Sequence, residues 1–195
     1  FQIGAMGHSH KNKVSDAKDI SIGIVAPDGK EGMLSHAEQF ADTGIPFFFD
    51  PGQNVPIIEK DELLTAFEHA TWLTFNDYEW QLVEDKTGLT IDTINDHVEA
   101  LIVTKGGEGS IIYTKGKQYE IPSAKAKELA DPTGCGDAFR AGLLYGLMND
   151  MDWETTGRIA SLIGAVKIEK AGTQNHNFSK QEFADRFKEN FGYSF

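Results

Sequence analysis

The 195 residues are 40% hydrophobic and carry a formal net charge of −12, enough to bury the core of one ordinary domain or most of a larger one. That acidic balance excludes a general nucleic-acid binder, since neutralising phosphates takes clustered Lys and Arg, and turns attention to small molecules with any anion site built locally. No apolar run approaches the roughly 18 residues of a membrane span, and the single cysteine, Cys135, cannot form an intramolecular disulfide, so the expected setting is the cytoplasm.

From the N-terminus, "GHSHK" places His8 and His10 in a polar loop with no third metal ligand in view. "SIGIVAP" (21–27) is a strand ending in turn residues Asp28 and Gly29. Met33, Leu34, Ala37, Phe40 and Ala41 then share one helical face, and Gly44 stops that helix. "IPFFFD" is a buried strand closing on Asp50. A short helix around Leu63, Leu64 and Phe67 leads to the strand "TWLTFN". A helix from about Asp77, a small helix near Ile94 and the strand "ALIVT" follow. "SIIYTKGKQYEI" holds two alternating runs about a Lys-Gly turn, which predicts an antiparallel hairpin. "AKAKELA" (124–130) is expected to be one more strand. Helices are expected over 138–148, 153–170 and 180–189. Strands alternating with helices indicate an α/β fold with a parallel sheet.

Polar residues collect where strands end: Asp50, Asn76 and Thr104. In open parallel sheets, that edge is where ligands bind. In "NDYE", Asn76 and Glu79 share a helical face and suit a hydrated magnesium ion beside phosphates; a plain Asx cap with an exposed Glu is the competing account. "TKGGEGS" offers Thr104, Gly106 and Gly109 as a nucleotide-contacting turn, or as a tight connection between strands.

The stretch "DPTGCGDAFRAG" (131–142) concentrates the most chemistry. If a helix starts near Gly136, the amides of Gly134, Cys135, Gly136 and Asp137 point out of its first turn toward an anion. Such a nest suits a phosphoryl group in flight, and a carboxylate at its edge can take the proton of an attacking hydroxyl. Asp137 could equally serve only to complement the helix dipole. Cys135, at a helix N-terminus, admits a third account as a thiol nucleophile in acyl transfer, although no histidine is near in sequence.

Taken in chain order, these motifs resemble the ribokinase-like (PfkB) family of carbohydrate and nucleoside kinases. "DPTGCGDAF" is similar to the family's D-T-x-G-A-G-D-A-F, departing at Pro132 and Cys135. "NDYE" matches N-x-x-E, and "VTKGGEGS" matches T-x-G-x-x-G ahead of a hairpin. "GIVAPDG", "FDPGQ" and "GDAFRAG" look most like bacterial adenosine-kinase-like members.

The resemblance implies a three-layer αβα fold with a largely parallel sheet. It also implies in-line transfer of the ATP γ-phosphoryl group to a primary hydroxyl of a nucleoside or sugar. By it, Asp137 is the base and the amides of Gly134, Cys135 and Gly136 form the anion hole. Asn76 and Glu79 order Mg²⁺ (Glu79 through water) and the phosphates, while Thr104, Gly106 and Gly109 line the ATP site. Asp131 and Thr133 match positions that help hold a monovalent cation such as K⁺, and Gly172 and Asn175 of "EKAGTQN" complete the nucleotide and cation sites.

Members of the family run to about 300 residues, the scale of one large α/β domain. Residues 1–195 therefore read as the nucleotide-binding C-terminal portion, with the N-terminal strands and the lid absent. If the polypeptide begins at Phe1, weak or no turnover is expected, and an exposed sheet edge favours association with another chain, a homo-oligomer included. A ribose- or fructose-type sugar kinase and a non-catalytic nucleotide-binding module are the alternatives.

Overall fold

Most of the apolar runs bounded by turn residues become strands. The structure is a computed structural model and describes residues 4–195. In chain order the elements are β1 (Gly23–Val25), α1 (Lys30–Thr43), β2 (Phe47–Phe49), α2 (Lys60–His69), β3 (Trp72–Asn76), α3 (Asp77–Thr87), the single turn α4 (Ile91–Ile94), β4 (Ala100–Thr104), β5 (Ser110–Thr114), β6 (Lys117–Ile121), α5 (Cys135–Met148), α6 (Trp153–Ile168) and α7 (Lys180–Phe191). Sheet hydrogen bonds link the strands in the order β1-β2-β3-β4-β5-β6. By contacts, the chain divides into two compact units: Phe1–Thr104 with Tyr113–Gln118, and Lys105–Ile112 with Tyr119–Phe195.

In the first unit β1 to β4 are parallel, and β2, β3 and β4 are each reached through a helical crossover, as the alternation of motifs predicts. Phe47, Phe48 and Phe49 are each at most 1% exposed. Both faces of β2 are therefore covered, which explains an apolar run without alternation. On one face the aromatic rings form a chain: Phe49 meets Phe67 at 6.2 Å, Phe67 meets Phe75 at 6.0 Å, and Phe75 meets Trp80 at 5.8 Å. The Lys86 ammonium donates to the carbonyls of Val55, Pro56 and Ile58 and so fixes the loop that follows β2.

The second unit is built on α5, α6 and α7. Helices α5 and α6 approach closely because Gly142 and Gly146, one turn apart, present no side chain; a Cβ on Gly142 would lie 2.4 Å from the Ala160 Cα. Phe187 of α7 gathers Phe191, Tyr193 and Phe195 at ring separations of 4.9, 5.2 and 4.6 Å. Arg186 forms an ion pair with Glu169.

The expected strand over residues 124–130 is absent; that segment runs without regular structure. Its backbone amides bond to helices instead of a neighbouring strand. Ala124 N donates to Ser161 Oγ, Lys125 N to Asn190 Oδ1, Lys127 N to Glu169 Oε1 and Ala130 N to Ile168 O. Side-chain acceptors satisfy most of these amides and leave nothing to drive strand pairing. At the turn between β5 and β6, Lys115–Gly116, the expected hairpin forms.

Candidate active site

The stretch that opens α5 folds as a turn feeding a helix. Gly134 is the N-cap residue, with φ 85° and ψ 3°, a conformation that costs a side-chain-bearing residue roughly 1–2 kcal/mol. The Cys135 amide donates back to Pro132 O at 3.1 Å, closing a β-turn whose third residue is Gly134. The Cys135 N–H is thus used within the turn rather than offered to an anion. Gly136 and Asp137 occupy the first turn of α5, where helix geometry leaves amides without an intrahelical acceptor.

The Asp137 side chain is 83% exposed and lies 3.3 Å from Arg140 Nη1. A carboxylate beside first-turn amides and a guanidinium can hold and transfer a proton next to bound anionic oxygens. Cys135 is half-buried, and burial pushes its thiol up from the ordinary value. That shift disfavours the thiolate a nucleophile requires.

Four of the expected residues meet at the junction ahead of α5. Asp131 Oδ1 accepts from Thr133 N at 2.9 Å and Oδ2 from Gly172 N at 2.8 Å, which joins the loop before α5 to the loop after α6. Hydrogen bonds from Thr133 backbone and side chain, then from the Gly172 amide, hold the Asp131 carboxyl down at about 2. A Cβ on Gly134 would lie 3.2 Å from Thr173 O. Asn175 Nδ2 donates to Ala171 O at 2.8 Å and closes the loop that carries Gly172.

In the first unit, Asn76 and Glu79 form a reciprocal cap on α3. Asn76 Oδ1 accepts from Glu79 N at 2.7 Å, and Glu79 Oε2 accepts from Asn76 N at 2.9 Å. Both residues are exposed, and the cap uses one carboxylate oxygen, leaving Glu79 Oε1 outside the pair. Thr104 is the register partner of Asn76, so both stand at the carboxyl edge of adjacent parallel strands. Its hydroxyl donates to Phe75 O at 3.4 Å.

Gly106 and Gly109 bound a short 3-10 turn, Gly106–Glu108, closed by Lys105 N donating to Gly109 O at 2.8 Å. A Cβ on Gly109 would sit 2.1 Å from Ile121 O, whereas one on Gly106 would meet nothing within 4 Å. Gly109 therefore serves a tight backbone crossing, whatever else the turn contacts.

Two charged residues were not singled out from the sequence. Arg140 could have been found from its i,i+3 spacing to Asp137. Lys167 carried no signal: nothing in the spacing of α6 distinguishes it from a solvated lysine, yet it is fully buried. Among the described residues, no group of three or more His, Cys, Asp or Glu could hold a metal ion, and no helix is long and apolar enough to cross a membrane.

Residues 9–180 match the model of the pfkB family carbohydrate kinases. The chain belongs to this family. The matched range contains the N-x-x-E, T-x-G-x-x-G and G-x-G-D motifs in that order. Among solved pfkB-type structures, a nucleoside kinase from Burkholderia thailandensis in complex with ADP-inosine superimposes with a TM-score of 0.95 at 47% identity, over 97% of this chain and 60% of that one. The nucleoside kinase of Methanocaldococcus jannaschii, an archaeal member of the ribokinase family, gives a TM-score of 0.91 at 33% identity, over 97% and 62%. These matches bear out the three-layer α/β fold. In a separate sequence comparison, a nucleoside kinase from the same archaeon is 41% identical over 128 residues, which is 66% of this chain and 42% of the relative. The chain thus spans less than half the length of that curated relative and about three-fifths of the solved ones.

Proposed function

We propose that the chain is the nucleotide-binding and catalytic portion of a kinase that moves the ATP γ-phosphoryl group to a primary hydroxyl of a purine nucleoside, of which inosine and adenosine are the first candidates. One observation carries the reading. Asp137 is exposed on the first turn of α5, beside Arg140 and after a glycine turn, within a chain 47% identical to a nucleoside kinase solved in complex with ADP-inosine. A module that only binds nucleotide has no need of a carboxylate at an anion-binding helix start.

In this reading Asp137 accepts the proton of the attacking hydroxyl as the hydroxyl oxygen bonds to the γ-phosphorus and the bond to the ADP oxygen breaks. The Gly136 and Asp137 amides and the Arg140 guanidinium face the charge that builds on the transferring group. Thr104, Gly106, Gly109, Gly172 and Asn175 serve the nucleotide. Glu79, through its free oxygen and water, with Asn76, would help hold Mg²⁺. Two exposed polar residues fit an ion that keeps most of its waters and leans on substrate phosphates. When bound, that ion would neutralise phosphate charge. A cytoplasmic setting, where ATP is plentiful, suits the reaction.

The test is transfer from γ-labelled ATP with Mg²⁺ to inosine, adenosine, ribose and fructose, in the parent protein and in Asp137→Asn. Nucleoside acceptors should dominate. The variant should lose about 10²–10⁴-fold in kcat with ADP affinity within about threefold. Transfer within about tenfold of the parent would remove Asp137 as the base, and preference for ribose or fructose would move the acceptor to sugars.

A further inference from the structure

We propose that the Lys167 ammonium is a built-in monovalent cation, which ties the loop opening α5 to the loop following α6 and takes the place a potassium ion would otherwise fill. Lys167 lies in the last turn of α6 and is 0% exposed. Its Nζ donates to Asp131 O at 2.7 Å and to Lys170 O at 3.2 Å. Backbone carbonyls converging from separate loops are the ligands that strip K⁺ of its water. An ammonium carries the same single charge and offers three donors to the same oxygens.

The surroundings are arranged for an internal charge. An ammonium removed from water is costly unless it is paired and hydrogen-bonded. Here the Asp131 carboxylate is fixed nearby by the Thr133 and Gly172 amides. Ile168 O, the last residue of α6, accepts from both Ala130 N and Asp131 N. A lysine at this end of a helix also complements the negative pole of its dipole and serves a carbonyl the helix leaves unpaired. The oxygens that would ligate an external ion near Asp131 therefore already hold a cation that cannot dissociate. Lys167 is a positioning residue: the irregular segment ending at Asp131 leads through the Gly134 turn directly into the first turn of α5, so fixing Asp131 fixes the start of that helix. The expectation of K⁺ at Asp131 and Thr133 gives way to a potassium-independent junction.

The inference rests on the kinase reading only for its consequence in catalysis. Its test therefore uses neither nucleotide nor acceptor, so absence of phosphoryl transfer would leave it intact. Thermal unfolding of the unmodified protein is compared in KCl and in N-methylglucamine chloride, a cation too large for the junction, at equal ionic strength. The midpoints should agree within about 1 °C, and a rise of more than about 3 °C in KCl reveals a separate potassium site and overturns the proposal. Lys167→Ala should melt about 10 °C lower in N-methylglucamine chloride, as expected when a buried side chain is emptied and two carbonyls lose their donor, and should recover part of that loss in KCl or methylammonium chloride. A variant as stable as the parent, or one whose loss no small cation relieves while it remains folded, also overturns it. Should the variant not fold, the comparison of salts on the unmodified protein still decides.

Discussion

At the scale of single residues, Asp131 and Asp137 show how two carboxylates six positions apart are set to different tasks. Asp131 is held by amides from two loops and its carboxyl falls to about 2, so it stays charged and structural. Among the described residues Asp137 pairs with Arg140 at the first turn of α5, and its side chain remains open to solvent. For Asp131 the folded state binds its proton less readily than the unfolded chain, whose value is 3.8. The stability it contributes is therefore complete above about pH 4 and is lost as pH falls through that value toward 2. Asp131→Asn should be less stable than the parent at neutral pH and should flatten this acid limb, measured as the urea midpoint between about pH 5 and 2. An unchanged acid limb would show that the carboxylate contributes nothing to the fold. The sequence placed Asp131 and Thr133 together, but Lys167, whose ammonium donates to Asp131 O, sits 36 residues away and becomes visible only when the helix packs.

At the scale of elements, strands and helices were legible wherever local period and turn chemistry agreed. β3, β4 and α3 follow directly from "TWLTFN", "ALIVT" and an Asn-x-x-Glu cap, because each pattern satisfies its own backbone groups. The segment 124–130 departs from the expected strand: its alternation resembles one, while the acceptors for its amides are the side chains of Ser161, Glu169 and Asn190 and the end carbonyl of α6, which no local pattern encodes. The turn between β4 and β5 is legible as a glycine-rich connection but not in the division of labour between its glycines. Gly109, at φ 95° against the β6 backbone, leaves no room for a methyl group, whereas Gly106, at φ 55°, faces open space. Gly109→Ala should cost about 2–4 kcal/mol in urea unfolding, from strain and from displacing Ile121 O. Gly106→Ala should cost about 1 kcal/mol, from its left-handed backbone alone. Equal losses would mean that the crossing at Ile121 relaxes freely and that the close approach is not what Gly109 is for.

At the scale of the whole molecule, under the proposed kinase reading the net charge of −12 opposes the approach of ATP, with the α5 helix start and Arg140 to attract it only at short range. The two fields are separated by screening. A Debye length of about 30 Å at 0.01 M salt contracts to about 8 Å at physiological strength, so added salt first removes the distant repulsion and spares the contacts inside the site. The association rate constant for ATP should therefore rise, by about two- to fivefold, between low and physiological ionic strength, the reverse of an electrostatically steered encounter. Stopped-flow binding with a fluorescent ATP analogue reads this directly, with the dissociation rate constant changing less than the association rate constant. A fall in the association rate with salt would mean that the surface around the nucleotide site is locally basic enough to outweigh the rest of the chain, and would shift attention to Lys105, Lys125 and Lys127 as the residues that guide the phosphates in.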